Sequence, residues 1–224
     1  MASSEHAGSS QRTSKRRTQE ERSATTQELL MQATIDAMYE NGFARLTTAD
    51  IARRAGVSRG ALMHHYASKE DLIVVSYERM LADATREIRS WLGLARAGEL
   101  MLDDFLDKLW AMYSGKLIFV TLEHITEARH NEPLRQKFMP VVKEFHAALE
   151  ACWREFFHET GSSTEDPITV LTMTTALFRG IAIQMVLRED AVYFDKLLEH
   201  WKSHVRSLVE VEANGEGDAA RPGS

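Results

Sequence analysis

The sequence predicts an all-α protein, in which an N-terminal three-helix head with a helix-turn-helix is joined by a long helix to a helical body. Three observations predict it. Residues 47–72, TTADIARRAGVSRGALMHHYASKEDL, contain two short helical patterns joined by a tight turn with Gly56. Apolar residues recur at helical spacing through nearly all the rest of the chain. Charge is also unevenly divided: residues 1–69 carry a balance of +3 and residues 70–224 a balance of −9, which together give the formal net charge of −6.

Composition sets the bounds. The 224 residues suffice for one large domain or two small ones, and 44% hydrophobic content is ordinary for a globular chain. No apolar run is read as approaching the ~20 residues of a membrane helix, and no export signal is read at the N-terminus. The single cysteine, Cys152, excludes an internal disulfide, fits a reducing cytoplasm and reads as a small core residue.

The elements follow in order. Residues 1–21 read as a disordered basic tail containing Arg12, Lys15, Arg16 and Arg17. The plainer reading of that run is a solvated tail; the sharper one is an arm that reaches DNA phosphates or the minor groove. A first helix is expected from about Thr25 to Asn41, with Leu30, Ala33 and Ala37 on one face and Leu29 and Met38 beside it. Thr47 caps the next helix, with Asp50 as a short-armed capping-box partner. Gly56 supplies a left-handed residue, Ser58 caps a helix running to about Tyr66, and Ser68 caps the long helix, with Glu70 and Asp71 in its first turn. The head is expected over 22–68 and the body over 69–213, followed by a disordered tail over 214–224.

The long helix runs past Trp91 on the stripe Ile73, Tyr77, Met80, Ala84 and Ile88, and Gly93 and Gly98 are read as a break. Leu102, Phe105, Leu106, Leu109 and Tyr113 then form one face, and Ile118, Leu122 and Ile125 follow. A strong stripe from Phe138 to Phe156 contains Pro140, at which a helix either begins or kinks. Gly161 to Pro167 reads as a loop, with Asp166 as N-cap and Pro167 at the first helical position. Two last helices are expected over Ile168–Arg188 and Ala191–Val211. The first is apolar almost all round and so requires cover on several sides.

The ordered match of Thr47, Ile51, Ala52, Ala55, Gly56, Val57, Ser58, Gly60, His65, Lys69 and Leu72 resembles the TetR family of bacterial transcriptional regulators. Tyr66 stands where the family usually has Phe, and Met63 where it has a Tyr that touches a DNA phosphate. Leu122 to Leu134 is similar to a stretch in one subgroup of TetR-like regulatory domains. The resemblance implies a cytoplasmic homodimer whose two heads bind a palindromic operator in double-stranded DNA. It implies a repressor released by a small-molecule effector that tilts the long helix, with no cofactor. The alternative is a dimeric DNA-binding protein that responds to no ligand.

Candidate DNA contacts are Thr47, Thr48, Ser58, Arg59, Gly60, Ala61, Met63, His64, His65 and Lys69. Arg59 suits the paired acceptors of guanine, Gly60 permits close approach, and Ala61 suits a thymine methyl. Thr47, Thr48, His64 and Lys69 would hold phosphates, whereas Leu62 and Tyr66 face inward. Candidate ligand-pocket residues are Trp110, Tyr113, Phe119, His124, Phe145, Trp153, Met173, Phe178 and Arg179. Arg179 sits among apolar neighbours and needs a partner, for which an internal carboxylate such as Glu123 ranks ahead of an acidic effector. Leu171, Phe178, Leu197, Trp201, Val205 and Leu208 are the candidate dimer contacts, on the last two helices that pair with their copies in the resembled family. His200 and His204 have metal-compatible spacing but no third ligand and read as surface or interface histidines, so no metal site is expected. No nucleophile elbow, P-loop, dinucleotide fingerprint or metalloprotease motif occurs, and no catalytic residue is expected.

Overall fold

The computed structural model describes residues 19–157 and 166–215. Among them are nine α-helices, two short 3-10 turns and no strand. The helices are α1 (Gln19–Asn41), α2 (Thr48–Ala55), α3 (Arg59–His65), α4 (Lys69–Arg96), α5 (Leu102–Ser114), α6 (Lys116–Ala128), α7 (Glu132–Arg154), α8 (Pro167–Met185) and α9 (Ala191–Gly215). The readings of residues 1–18, of residues 158–165 within the loop before α8, and of 216–224 lie outside the described residues.

The head is built by local signals that act as the sequence requires. The Thr47 hydroxyl accepts the Asp50 N–H at 3.1 Å, and Gly56 adopts φ 67° to end α2. The Ser58 and Ser68 hydroxyls accept the N–H groups of Ala61 and Asp71 at 3.1 and 3.0 Å. Each cap satisfies a donor that the first turn of a helix would otherwise leave unpaired. Asp50 does not complete a capping box; its carboxylate pairs instead with Arg53 and Arg54. Leu30, Ala37, Ile51, Leu62 and Leu72 are buried together, which fixes α2 and α3 against α1 and α4.

Several boundaries differ from expectation. The first helix starts at Gln19 rather than Thr25, so Gln19–Glu21 belong to α1 and not to a tail. Thr25 and Thr26 direct their hydroxyls back to the carbonyls of Glu21 and Arg22, as mid-helix threonines do, and so do not cap. Leu29 is exposed. Gly93 lies inside α4, where its exposed position costs only helix propensity. The break comes at Gly98, with φ 70°, where the Glu99 N–H reaches the Leu94 carbonyl at 2.9 Å. α7 begins at Glu132 with Pro133 in its first turn and passes through Pro140. Pro140 and Gln136, the residue whose carbonyl it cannot bond, are both exposed.

The body packs α4 against α7, with α5 bridging α6 and α8, and α9 lying over α8 and α5. Phe105, Leu109, Leu149, Cys152, Trp153, Phe178 and Val205 are buried at its centre. α8 has the length and mean hydropathy (1.4) of a membrane-crossing segment, contrary to the expectation that no run comes near one. It packs against α5, α7 and α9, burying Leu171, Thr174, Phe178 and Ile181 and burying Arg179 only in part. Helix α9 continues to Gly215, past the expected end.

Candidate nucleic-acid interface and ligand cavity

Helix α3 has two sides with different tasks. Leu62 and Tyr66 are buried and anchor it, which leaves the opposite side of the helix to solvent. Ser58, Arg59, Gly60, Met63 and His64 are exposed, and Ala61 and His65 are half-buried. Thr47 is exposed and Thr48 half-buried at the start of α2, and Lys69 is half-buried at the start of α4. The Lys69 ammonium lies 5.3 Å from the centroid of the Phe43 ring, a cation–π contact that orients it. Met63 is 47% exposed, so an apolar side chain lies on the outer face where a polar one would be expected. His64 and His65 meet edge to face at 5.4 Å between ring centroids. The exposed cations Arg45 and Arg53 were not singled out in the sequence, and Arg53 shares its charge with Asp50.

The body holds a partly open cavity of about 190 Å³ between α4, α5, α6, α7 and α8. Of the nine candidate pocket residues, Tyr113, Phe145 and Arg179 line it, together with Tyr77, Thr121 and His146. His124 lines an adjoining open groove and shares Tyr77 with it. The other five lie elsewhere. Trp153 and Phe178 fill the core, with the Trp153 Nε1–H donating to the Pro167 carbonyl at 2.7 Å. Trp110 packs edge-on against Phe178, Phe119 packs against Tyr39 next to the head, and Met173 is exposed on the outside of α8.

Arg179 does not pair with a carboxylate among the described residues. Its Nη2 donates to the Tyr113 hydroxyl at 3.1 Å, and its guanidinium carbon lies 5.0 Å from that ring's centroid. Glu123 is engaged elsewhere: its carboxylate accepts the Phe43 N–H at 2.8 Å, which ties α6 to the turn between α1 and α2. Burial pushes the Tyr113 phenol up against the pull of Arg179, so it stays neutral. Burial, and then the Arg179 charge, push the His146 imidazole down.

His124 is buried, stacked on Tyr77 at 4.0 Å between centroids, and its Nδ1 bonds the Val120 carbonyl at 2.7 Å. Its Nε2 has no hydrogen-bond partner among the described residues. Burial holds its pKa down to about 4. Burial likewise pushes the Cys152 thiol up to about 12, leaving it inert as a nucleophile at neutral pH.

The dimer candidates divide. Leu171, Phe178 and Val205 are buried within the protomer, because α8 and α9 turn these side chains toward each other and toward α5 and α7. Leu197, Trp201 and Leu208 are half-buried, with the Trp201 Nε1–H donating to the Thr174 hydroxyl at 2.9 Å. The exposed side of α8 carries Met173 and Ala176, with Leu177 and Gly180 half-exposed beside them. No group of residues that could hold a metal ion occurs among the described residues, His200 and His204 included.

Residues 30–74 match the family model described as bacterial regulatory proteins, tetR family. The chain is 27% identical over 183 residues to the HTH-type transcriptional regulator CymR of Pseudomonas putida, spanning 82% of this chain and 90% of that protein. Its fold is similar to that of a TetR transcription regulator from Haloarcula marismortui, with TM-score 0.64 and 22% identity over 84% of this chain and 98% of that one. It is also similar to the transcriptional regulator FadR from Bacillus subtilis in complex with stearoyl-CoA, with TM-score 0.59 and 18% identity over 79% and 97% of the two chains. A capped helix-turn-helix that matches the family's own pattern, on a helical body of the same fold, makes this chain a member of the TetR family and a DNA-binding transcriptional regulator.

Proposed function

We propose that the protein is a cytoplasmic, dimeric repressor that binds a palindromic operator through α3 and releases it when a small molecule occupies the body. The observation that carries the DNA half is the outward face of α3, with Ser58, Arg59, Gly60, Met63 and His64 exposed while Leu62 and Tyr66 hold the helix from behind. In this reading Arg59 takes the paired acceptors of a guanine, Ala61 meets a thymine methyl, and Gly60 lets the backbone approach. Ser58, Met63 and His65 lie against the groove, while Thr47, Thr48, His64 and Lys69 hold phosphates. Dimerisation uses the outer sides of α8 and α9, where Ala176 and Gly180 would let a partner helix come close. That face replaces the inward-pointing Leu171, Phe178 and Val205.

The effector half rests on the cavity and on its connection to the head. Helix α6 lines the cavity with Leu117, Ile118, Thr121, Leu122 and Ile125, and the same helix holds the Phe43 N–H through Glu123. Tyr77 and Leu81 on α4 line it as well, and α4 starts beside the recognition helix. A ligand that shifts either helix would move the head. Release requires that it bind the DNA-incompetent state more tightly, and the coupling is reciprocal. The FadR structure with stearoyl-CoA supports a ligand-holding body on this fold.

The test is selection of bound duplexes from a random DNA pool by the purified protein at moderate salt. A recovered palindrome is the expected result, and its half-site spacing gives the separation of the two heads. Only non-specific, salt-sensitive binding by a well-folded dimer would refute the operator reading.

A further inference from the structure

Arg179 is the one described lysine or arginine lining the partly open cavity, and among the described residues its guanidinium bonds a hydroxyl and no carboxylate. It is half-buried on α8 beside the buried Phe178 and Ile181. Its nearest polar contact is the hydroxyl of Tyr113, a buried residue whose phenol stays neutral. A hydroxyl accepts the guanidinium N–H but brings no negative charge. Two carboxylates could in principle serve. Glu123 is bound to the Phe43 N–H, and Glu150, which lines a crevice with Arg179 and His146, makes no ion pair with the guanidinium. A partly buried guanidinium without a counter-ion is costly to keep, and a planar anion is its best complement.

We propose that this cavity takes a small organic monocarboxylate, whose carboxylate pairs with the Arg179 guanidinium and accepts a hydrogen bond from the Tyr113 hydroxyl. The proposal rests on reading the cavity as the effector site. Tyr113 already accepts from Arg179, so its own proton is available to an anion in the cavity. One guanidinium and one neutral donor balance a single negative charge and would leave a dianion undercompensated. The rest of the wall, including Leu81, Leu117, Ile118 and Phe145, is apolar and suits a hydrocarbon. An apolar cavity of roughly 150 Å³ accepts a benzene ring. At about 190 Å³ this one fits one ring or a short chain together with a carboxylate.

The experiment is titration calorimetry on the free, full-length protein. The probes are the straight-chain carboxylates from acetate to decanoate, benzoate and naphthoate, each run against its primary amide. At least one carboxylate of intermediate size is expected to bind, with its amide at least about tenfold weaker, because the amide leaves the guanidinium charge unpaired. Arg179→Gln, checked for folding by its unfolding midpoint, should weaken that carboxylate by about 10- to 100-fold. Arg179→Lys keeps the charge but loses the planar fork, and should fall between the two. The proposal is overturned if no carboxylate in the series binds, if amides bind as tightly, or if folded Arg179→Gln or Arg179→Lys binds as the parent does. These titrations contain no DNA, so they stand apart from the effector reading. A carboxylate that binds through Arg179 yet leaves operator affinity unchanged would refute that reading and leave this inference intact.

Discussion

Arg59 carries the most specific prediction at the scale of single residues. Its side chain is exposed and its removal disturbs no packing, so Arg59→Ala should leave the unfolding midpoint unchanged. It should cost about 1–3 kcal/mol of operator binding and relax preference at one base position. Binding titrations against an operator and its single-base variants would check this; unchanged affinity and preference would remove Arg59 as the base reader. His124 gives a pH prediction. Its imidazole gains a proton near pH 6.5 in the unfolded chain but only near pH 4 in the folded one. Between these values the unfolded state binds more protons, so stability is full above about pH 6.5 and falls as pH drops through the window. The slope is at most about 1.4 kcal/mol per pH unit for this group. His124→Phe keeps a ring against Tyr77 and Phe138 and removes the titration, so its unfolding midpoint should fall less between pH 6.5 and 4. The outward face of α3 was legible in the sequence because Leu62 and Tyr66 are apolar at helical spacing and the rest of the helix, Met63 apart, is small or polar. Arg179 was legible as an anomaly, but its partner was not, because Tyr113 lies 66 positions away and only the packing of α5 on α8 joins them.

Elements connect the body to the head through α6. The bond from the Phe43 N–H to Glu123 spans 80 positions and crosses from the turn after α1 to the cavity-lining helix. Gly42 beside it has φ 74°, and a Cβ there would meet the Glu123 carboxylate at 3.5 Å. Glu123→Ala should therefore speed amide hydrogen exchange at Phe43 by about 10- to 100-fold, the loss of one charge-assisted hydrogen bond. Exchange there no faster than in the parent would mean that this bond does not hold the turn, leaving the Lys116–Asp36 pair as the polar tie of α6 to α1. At this scale, caps were readable and extents were not. Thr47, Ser58, Ser68 and Asp166 each cap as their local chemistry dictates. Gly93 and Pro140 carry strong local signals as well, yet the helices run through them, because an exposed breaker costs less where the opposite face is packed.

For the whole molecule, oligomeric state and charge are the open quantities that experiment can fix. If the outer face of α8 is the dimer seam, Ala176→Arg should yield a folded monomer by light scattering and abolish tight operator binding. A variant that stays dimeric would exclude that face. Charge gives a second test. Residues 19–69 contain six Lys and Arg against six Asp and Glu, so the positive balance of the head segment belongs to residues 1–18. Deleting residues 1–18 should then reduce the steepness of log affinity against log salt by up to about 3 per protomer. An unchanged slope would mean that those cations never approach phosphate.

By itself the sequence determined the helical class, the capped helix-turn-helix and the residues on the outer face of α3. All of these depend on spacing within about four residues and on side chains bonding their own backbone. Only the tertiary structure decided the rest. It joined Tyr113 to Arg179, tied Glu123 to Phe43, left His124 with an unpaired nitrogen, and turned Leu171, Phe178 and Val205 into the protomer. The physical reason is that helical periodicity identifies an apolar stripe but not what covers it. On a helix as apolar as α8, every face passes as a core face until the neighbouring helices choose among them.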